Sequence, residues 1–535
     1  MSGQAAGRSG ARARQEVQRA FGAVRSVASL TMASRLLGLG REVLTAGLLG
    51  AGAVSDAFLL AWTLPNLARR VFGEGAFSAA LVPVFVEARE RGDEAGGRAL
   101  VNVATTRLAL GLCLLTVLLE LPLLFLRTAT GQGLLQACGV DAARTVLPLH
   151  LTSVLLPHLV LACVAGVVGG ALNATGRFAL PALTPSLLNL VWVGLLVLGL
   201  GLGGGELFLA ELLAWGLLAG GVLVTWVHLL EASRAGIPIR PALTGVDPER
   251  AARVRRLFGS LVLGLALFQI NCLCDQLIAW LLVPAGGVSA LNYANRLIQL
   301  PVGVLGVAIS TVIFPQLARL AKLGDTRGAG ELVDRGTALA AFVSLPAAVG
   351  LAFLGEPIVT ALFARGAFDA EAAARTARAT LFLCPSVAAA CLSPVVTRAF
   401  YAEEETRLPV QIGAACVGLN LVLNLLLVGP LQEAGLALAT SASQLTGLAL
   451  LSLFLRRRRV AKGDIPPSRR NAAALARSGL LSLLAGGVAL AAFAALPGPD
   501  LLRLLGAIAL SALSYVGLAR ALRAPELGLL LARGR

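Results

Sequence analysis

Roughly fourteen runs of about 20 apolar residues recur along this chain, enough to cross a bilayer each time and far more than one soluble core buries. In hydrocarbon every backbone N–H and C=O must be satisfied within the protein, so such runs fold as helices. The expected spans are about 26–49, 56–86, 100–127, 146–172, 179–202, 206–230, 257–283, 287–316, 336–358, 377–400, 408–429, 433–455, 476–496 and 500–522. A charged fraction of 14% beside 57% hydrophobic residues agrees, because soluble domains carry nearer ~25% charge. The fold class is an all-α polytopic membrane protein.

The formal net charge is +16, and its distribution excludes a nucleic-acid partner. With the N-terminus inside, the inner loops hold roughly 33 of the basic residues and the outer loops roughly 6. An even number of spans returns the C-terminus, with Arg520, Arg523, Arg533 and Arg535, to the same basic side. Clusters such as Arg250, Arg253, Arg255 and Arg256, or Arg456 to Arg459, read as topology determinants near anionic headgroups, which makes membrane lipids the expected surface partner. The eight cysteines show no metal or redox spacing and read as small hydrophobes.

An internal repeat organises the chain. Phe77-Ser78-Ala-Ala-Leu-Val-Pro83 is echoed by Ile309-Ser310-Thr-Val-Ile-Phe-Pro315, and Arg177 with Asn189 by Arg407 with Asn420. Six helices separate the members of each pair, so the expectation is two six-helix lobes related as parallel repeats, plus two accessory C-terminal helices. The expected parts are a disordered basic cytoplasmic tail (1–25), an N-lobe (26–230), a basic loop (231–256), a C-lobe (257–455), a second basic loop (456–475) and the last two helices with the tail (476–535). Two lobes of this kind suit alternating access by rocking about a central cavity.

Arginines stand where lipid is expected, in Ser34-Arg35-Leu-Leu-Gly-Leu-Gly-Arg41-Glu42 and in Pro65-Asn66-Leu-Ala-Arg69-Arg70-Val-Phe-Gly-Glu74-Gly75. A charge at that depth costs at least ~2.5 to 3.5 kcal/mol, so such residues normally mark a wet pathway. Counting helical rise, Arg41 lies about 12 Å from the outer end of its helix, Arg69 about 20 Å and Arg296 about 14 Å. These three are the expected anion-binding residues, joined by Arg35. The planar guanidinium fork donates paired hydrogen bonds to phosphate oxygens and stays charged in a poor dielectric, so a diphosphate fits. Ser34, seven residues before Arg41, shares its face, and Asn66 and Arg70 are expected to support the cavity, Arg70 standing next to Arg69 but on another face. Glu42, Asp56 and Glu74 are the acids near enough to neutralise the arginines instead. Pro65, Gly73 and Gly75 are expected to bend the second helix.

These motifs, with Asp56-Ala57-Phe58, Leu172-Asn173-Ala-Thr-Gly176-Arg177-Phe178 and Asn292-Tyr293-Ala294-Asn295-Arg296-Leu297, closely resemble the MurJ (MviN) lipid II flippase family over most of the chain. The resemblance implies fourteen spans in a bacterial cytoplasmic membrane with both termini inside. It also implies export of an undecaprenyl-diphosphate-linked disaccharide pentapeptide for peptidoglycan assembly, with the arginines matching Arg35, Arg41, Arg69 and Arg296 in the cavity and a tail groove at the last two helices. Asn295 stands where the family often has an acid. Some relatives bind Na+ at positions matching Asp275, Asn420, Asn424 and Thr440, the counterpart of Asn424 being an acid there; Na+ is the only cofactor the resemblance suggests.

Two rivals follow from the same residues. An enzyme of lipid-linked sugars needs clustered acids or a metal set, whereas Glu403 to Glu405 sit in one short turn and His150, His158 and His228 share no ligand spacing. An exporter of another polyprenyl-diphosphate-linked glycan uses the same arginines, because these read the diphosphate and not the sugar.

Overall fold

Hydrophobic runs, proline positions and capping residues together set where each helix of this protein starts, bends and stops. The computed structural model describes residues 34–73, 76–303, 307–464 and 468–531, and among them every regular element is helical. Helix α1 covers 34–49. Then come α2 (Ala53–Ala68), a π-helical turn (Arg69–Gly73), α3 (Ala76–Glu90), α4 (Glu94–Arg127), α5 (Ala129–Ala137), α6 (Ala142–Leu155), α7 (His158–Ala174), α8 (Ala179–Gly201), α9 (Glu206–Arg234) and α10 (Pro248–Leu282). The second half runs α11 (Gly287–Pro301), α12 (Val307–Lys322), α13 (Thr326–Phe363), α14 (Ala370–Ala402), α15 (Arg407–Leu431), α16 (Glu433–Ala461), α17 (Ser468–Ala495), α18 (Asp500–Ala521) and α19 (Pro525–Leu531).

Among the described residues 12 helical stretches are long and apolar enough to span a membrane. Helix α1 and the α11–α12 stretch occupy the first and eighth expected places, so the fourteen-span reading holds in outline. The tail expected at 1–25 lies outside the described residues. Helices also reach into the expected basic loops: α9 ends at Arg234, α10 begins at Pro248 and α16 runs to Ala461. Their amphipathic ends continue the helix past the hydrocarbon edge, where lysine and arginine stems remain compatible with it.

Two compact units emerge. One comprises Met1–Leu49 and Ala57–Gln269, the other Gly50–Asp56 and Ile270–Arg535. The chain thus changes unit at the end of α1, inside α2 and again inside α10, and the last two spans belong to the second unit.

In the first unit α7 is the central helix, packed on α3, α4 and α9. Phe77, Leu81 and Phe85 of α3 meet Val167 and Ala171 of α7 in its core. Outward, α4 shows Leu110, Leu114, Leu118 and Leu121, all more than half exposed and spaced three or four apart. In water that face would be a liability, and in a bilayer it is the lipid contact.

In the second unit α13, α14 and α16 form the core, where Val395, Val396 and Phe400 pack against Ala340, Ala341 and Leu455. Helices α17 and α18 lie on α13 through Leu481, Ala485 and Tyr515, and the Tyr515 hydroxyl donates to Phe342 O at 2.7 Å. Long helices start on aspartate caps: Asp93, Asp325 and Asp369 each accept from the backbone N–H three residues on, at 2.8 Å. Such a cap contributes typically ~1 kcal/mol. Gly50, at φ +63°, closes the approach to α2, where an added Cβ would stand 2.5 Å from Ala367 O.

Candidate functional site

The polar centre of the first unit is built around Arg41. Its helix α1 is mostly apolar, so the guanidinium must find polar or aromatic company inside the protein. It donates from Nη1 to Asn189 Oδ1 on α8 at 3.1 Å, forms an ion pair with the buried Glu42, and lies over the Trp192 ring, 4.3 Å from its centroid. Asn189 also donates to Ser34 O at 3.4 Å. Arg35 is half-buried six residues earlier on the same helix.

Helix α2 carries the second arginine at a break in its geometry. Pro65 lacks an N–H and crowds the preceding turn, and four residues later the chain widens into the π-helical turn that starts at Arg69. Turns of this kind present side chains at angles an α-helix does not reach. Arg69 donates to Asn66 Oδ1 at 3.0 Å, so each of these arginines is braced by an asparagine amide, Arg41 with the Glu42 carboxylate beside it as well. Arg70 is half-buried on the same turn. Glu74 lies outside the described residues.

In the second unit Arg296 is half-buried on α11. Asn295 donates to Leu291 O at 3.0 Å, within its own helix. Asp56, named from the sequence as a neutralising acid, is wholly buried and caps α11. Its carboxylate accepts from Gly286 N and Ser289 N at 2.8 Å each and from Ser289 Oγ at 2.6 Å. The same turn is gripped from its acceptor side by Arg375, which donates to Ala285 O at 2.6 Å and to the buried Glu433 at 3.0 and 3.2 Å.

Below α11 the four residues matched to a cation site do meet. Asn424 donates from Nδ2 to Asp275 Oδ1 at 2.6 Å and to Asn420 Oδ1 at 2.9 Å. Thr440 Oγ1 donates to Leu436 O at 3.0 Å and lies 3.5 Å from Asp275 Oδ2. With its amide turned over, Asn420 instead donates to Asp275 Oδ1 at 2.9 Å and to Asn271 Oδ1 at 3.0 Å. Asn424 Oδ1 is buried with no hydrogen-bond partner. One carboxylate, two amide oxygens and a hydroxyl form an oxygen-only set suited to a hard cation, and the orphaned oxygen is the feature a cation would satisfy.

Residues 45–497 match the family described as "Lipid II flippase MurJ". The "Probable lipid II flippase MurJ" of Rhizobium tropici is 32% identical over 457 residues, which is 85% of this chain and 84% of that relative. Its counterpart in Haemophilus influenzae is 32% identical over 479 residues, 86% of this chain and 90% of that one. The chain belongs to the MurJ lipid II flippase family. A solved structure described as "Lipid II flippase MurJ, inward closed conformation" shares the fold at a TM-score of 0.73 and 22% identity, over 93% of this chain and 99% of that one. The MurJ family consists of transporters rather than enzymes, and its membership places this chain among multi-pass proteins of the inner membrane.

Within a MurJ family member the sequence motif supplied the arginines, but several of their companions escaped it. Trp192 gave no signal, since a tryptophan in an apolar helix passes for lipid-facing filler. Arg375 and Glu433 pair across 58 positions, which no local spacing reveals. Asn189 had one clue: it is the repeat partner of Asn420, and both prove to sit in a polar centre.

Proposed function

We propose that this protein moves lipid II from the inner to the outer leaflet of the cytoplasmic membrane by alternating access, with both of its termini on the cytoplasmic side. Arg41, Arg69 and Arg296, supported by Arg35, receive the diphosphate, and the polyprenyl tail stays in lipid. The observation that carries the reading is the pair of guanidinium groups in spanning helices, each hydrogen-bonded to a neutral amide, Arg41 to Asn189 and Arg69 to Asn66. An asparagine oxygen orients the fork, and a low dielectric makes a guanidinium's attraction for phosphate oxygens strong. Helix packing alone would be served by apolar residues without the cost of burying a cation.

A second element of the proposal is a monovalent cation, Na+, held by Asp275, Asn420, Asn424 and Thr440. The unpartnered Asn424 Oδ1 favours it. The cation supplies positive charge beside Asp275 in the second unit.

Complementation tests the whole reading. Wild type is expected to rescue a bacterium depleted of its own lipid II flippase, while Arg41→Ala, Arg69→Ala and Arg296→Ala insert at normal levels and fail to rescue. Rescue by all three variants would remove the diphosphate role. A wild type that restores export of another polyprenyl-diphosphate glycan and not of lipid II would shift the substrate.

A further inference from the structure

We propose that Trp192 is a positioning residue for the transported headgroup: its buried indole face, with the Asn189 amide, holds the Arg41 guanidinium in the orientation that meets the diphosphate. This rests on the function proposed above and adds a residue that acts only through Arg41.

The ring is 1% exposed, so it cannot itself line a wet path for a sugar or a phosphate. What it touches is the arginine, whose guanidinium carbon stands 4.3 Å from the ring centroid. Cation–π attraction at that distance orients a charge without cancelling it. Three further contacts set the ring's own orientation. Indole Nε1 donates to Thr45 Oγ1 at 3.1 Å. Phe58 meets it edge to face at 5.3 Å and 84°, and Trp62 at 5.4 Å and 88°.

Thr45 closes the arrangement, since its hydroxyl donates to Arg41 O at 2.8 Å. One indole therefore contacts the head of Arg41 through its face and the following turn of α1 through its N–H. An arginine in solution spreads over many rotamers, and freezing it at the moment of binding subtracts from affinity. Here the rotamer is set before the ligand arrives. Asn189 occupies Nη1 and Glu42 Nη2, so among the described residues one carboxylate holds the fork, and a doubly phosphorylated headgroup competes for it with more charge than Glu42 brings.

The test is a double-mutant cycle on the full-length protein in lipid nanodiscs, titrated with lipid II. Trp192→Phe, which keeps an aromatic face, should bind within about threefold of wild type. Trp192→Leu should weaken binding roughly tenfold, a size consistent with a desolvated cation–π contact. In an Arg41→Ala background the same Trp192→Leu change should cost less than about twofold. An equal loss in both backgrounds overturns the proposal, because packing alone then explains it. Wild-type affinity in Arg41→Ala overturns the diphosphate reading as well. Fluorinated tryptophans placed at 192, which withdraw π-density at nearly constant shape, give a second readout independent of folding. Affinity should fall stepwise with fluorine number, and a flat response overturns the proposal.

Discussion

The two units carry polar centres on corresponding helices, and they solve opposite electrostatic problems. Asn189 and Asn420 stand about 230 positions apart, the spacing of the internal repeat. In the first unit the asparagine faces a cation that is part of the chain, Arg41, already accompanied by Glu42 and the Trp192 ring. In the second it faces a carboxylate, Asp275, surrounded by amides and a hydroxyl, with Asn424 Oδ1 left over. A buried cation that is covalently fixed and braced is available in every state of the protein, whereas a buried carboxylate among neutral groups depends on what the solution supplies. The first centre thus carries its own cation, partnered by Glu42, while the second leaves a carboxylate among neutral groups.

The largest expected effect that would break this contrast is at Asp275. If the second centre takes Na+, thermal unfolding of wild type should shift upward when choline is replaced by sodium, since a ligand at 100 times its dissociation constant adds about 2.7 kcal/mol. Asp275→Asn should erase that shift while Arg41→Ala leaves it intact. A wild-type midpoint indifferent to sodium would make the two centres alike, both of them purely internal.

A smaller effect sharpens the same contrast. Asn424→Asp adds a second carboxylate next to Asp275, and two acids at this depth share poorly unless a cation lies between them. The sodium concentration that half-stabilises the protein should fall by about tenfold, ~1.4 kcal/mol, and stability in its absence should drop. Calorimetry across a sodium series reads both numbers, and an unchanged midpoint series would detach Asn424 from the cation altogether.

The sequence made the helices legible because apolar length and motif are local properties. The motifs named Arg41 and Arg69 in the first unit, and the family resemblance pointed to the four residues that meet around Asp275. What the sequence missed depends on tertiary contact. Asp56 looked like a counter-ion and instead caps α11, accepting from Gly286 and Ser289, more than 200 positions away. The break in α2 was anticipated from Pro65, but its π-helical form at Arg69 was not, because proline weakens a turn without dictating what replaces it. Helices α5 and α19 were too short to register as spans.

The smallest effect compares the units at their edges. Each has a half-buried carboxylate held below its usual range. The Arg250 guanidinium, donating to Asp93 at 2.5 Å, lowers that carboxyl from its ordinary 3.8, and Gly96 N–H helps. The Arg458 guanidinium, donating at 2.7 Å, lowers Glu405 from its ordinary 4.5, with the N–H groups of Leu408 and Arg407 adding to it. Because both pKa values fall on folding, each group contributes stability that is fully present above its unfolded pKa and lost as pH falls through the folded value. Asp93→Asn keeps an amide cap and removes the charge, so the gap in melting temperature to wild type should be flat from pH 7 to 5 and close below about 3.8. For Glu405→Gln the gap should begin to close already below about 4.5. Both gaps should be small and shrink in high salt, as surface pairs do. A gap that does not narrow at all as pH falls below the unfolded values would mean that shape rather than charge holds these turns, in which case the edges of the two units carry no electrostatic distinction and the contrast between them is confined to Arg41 and Asp275.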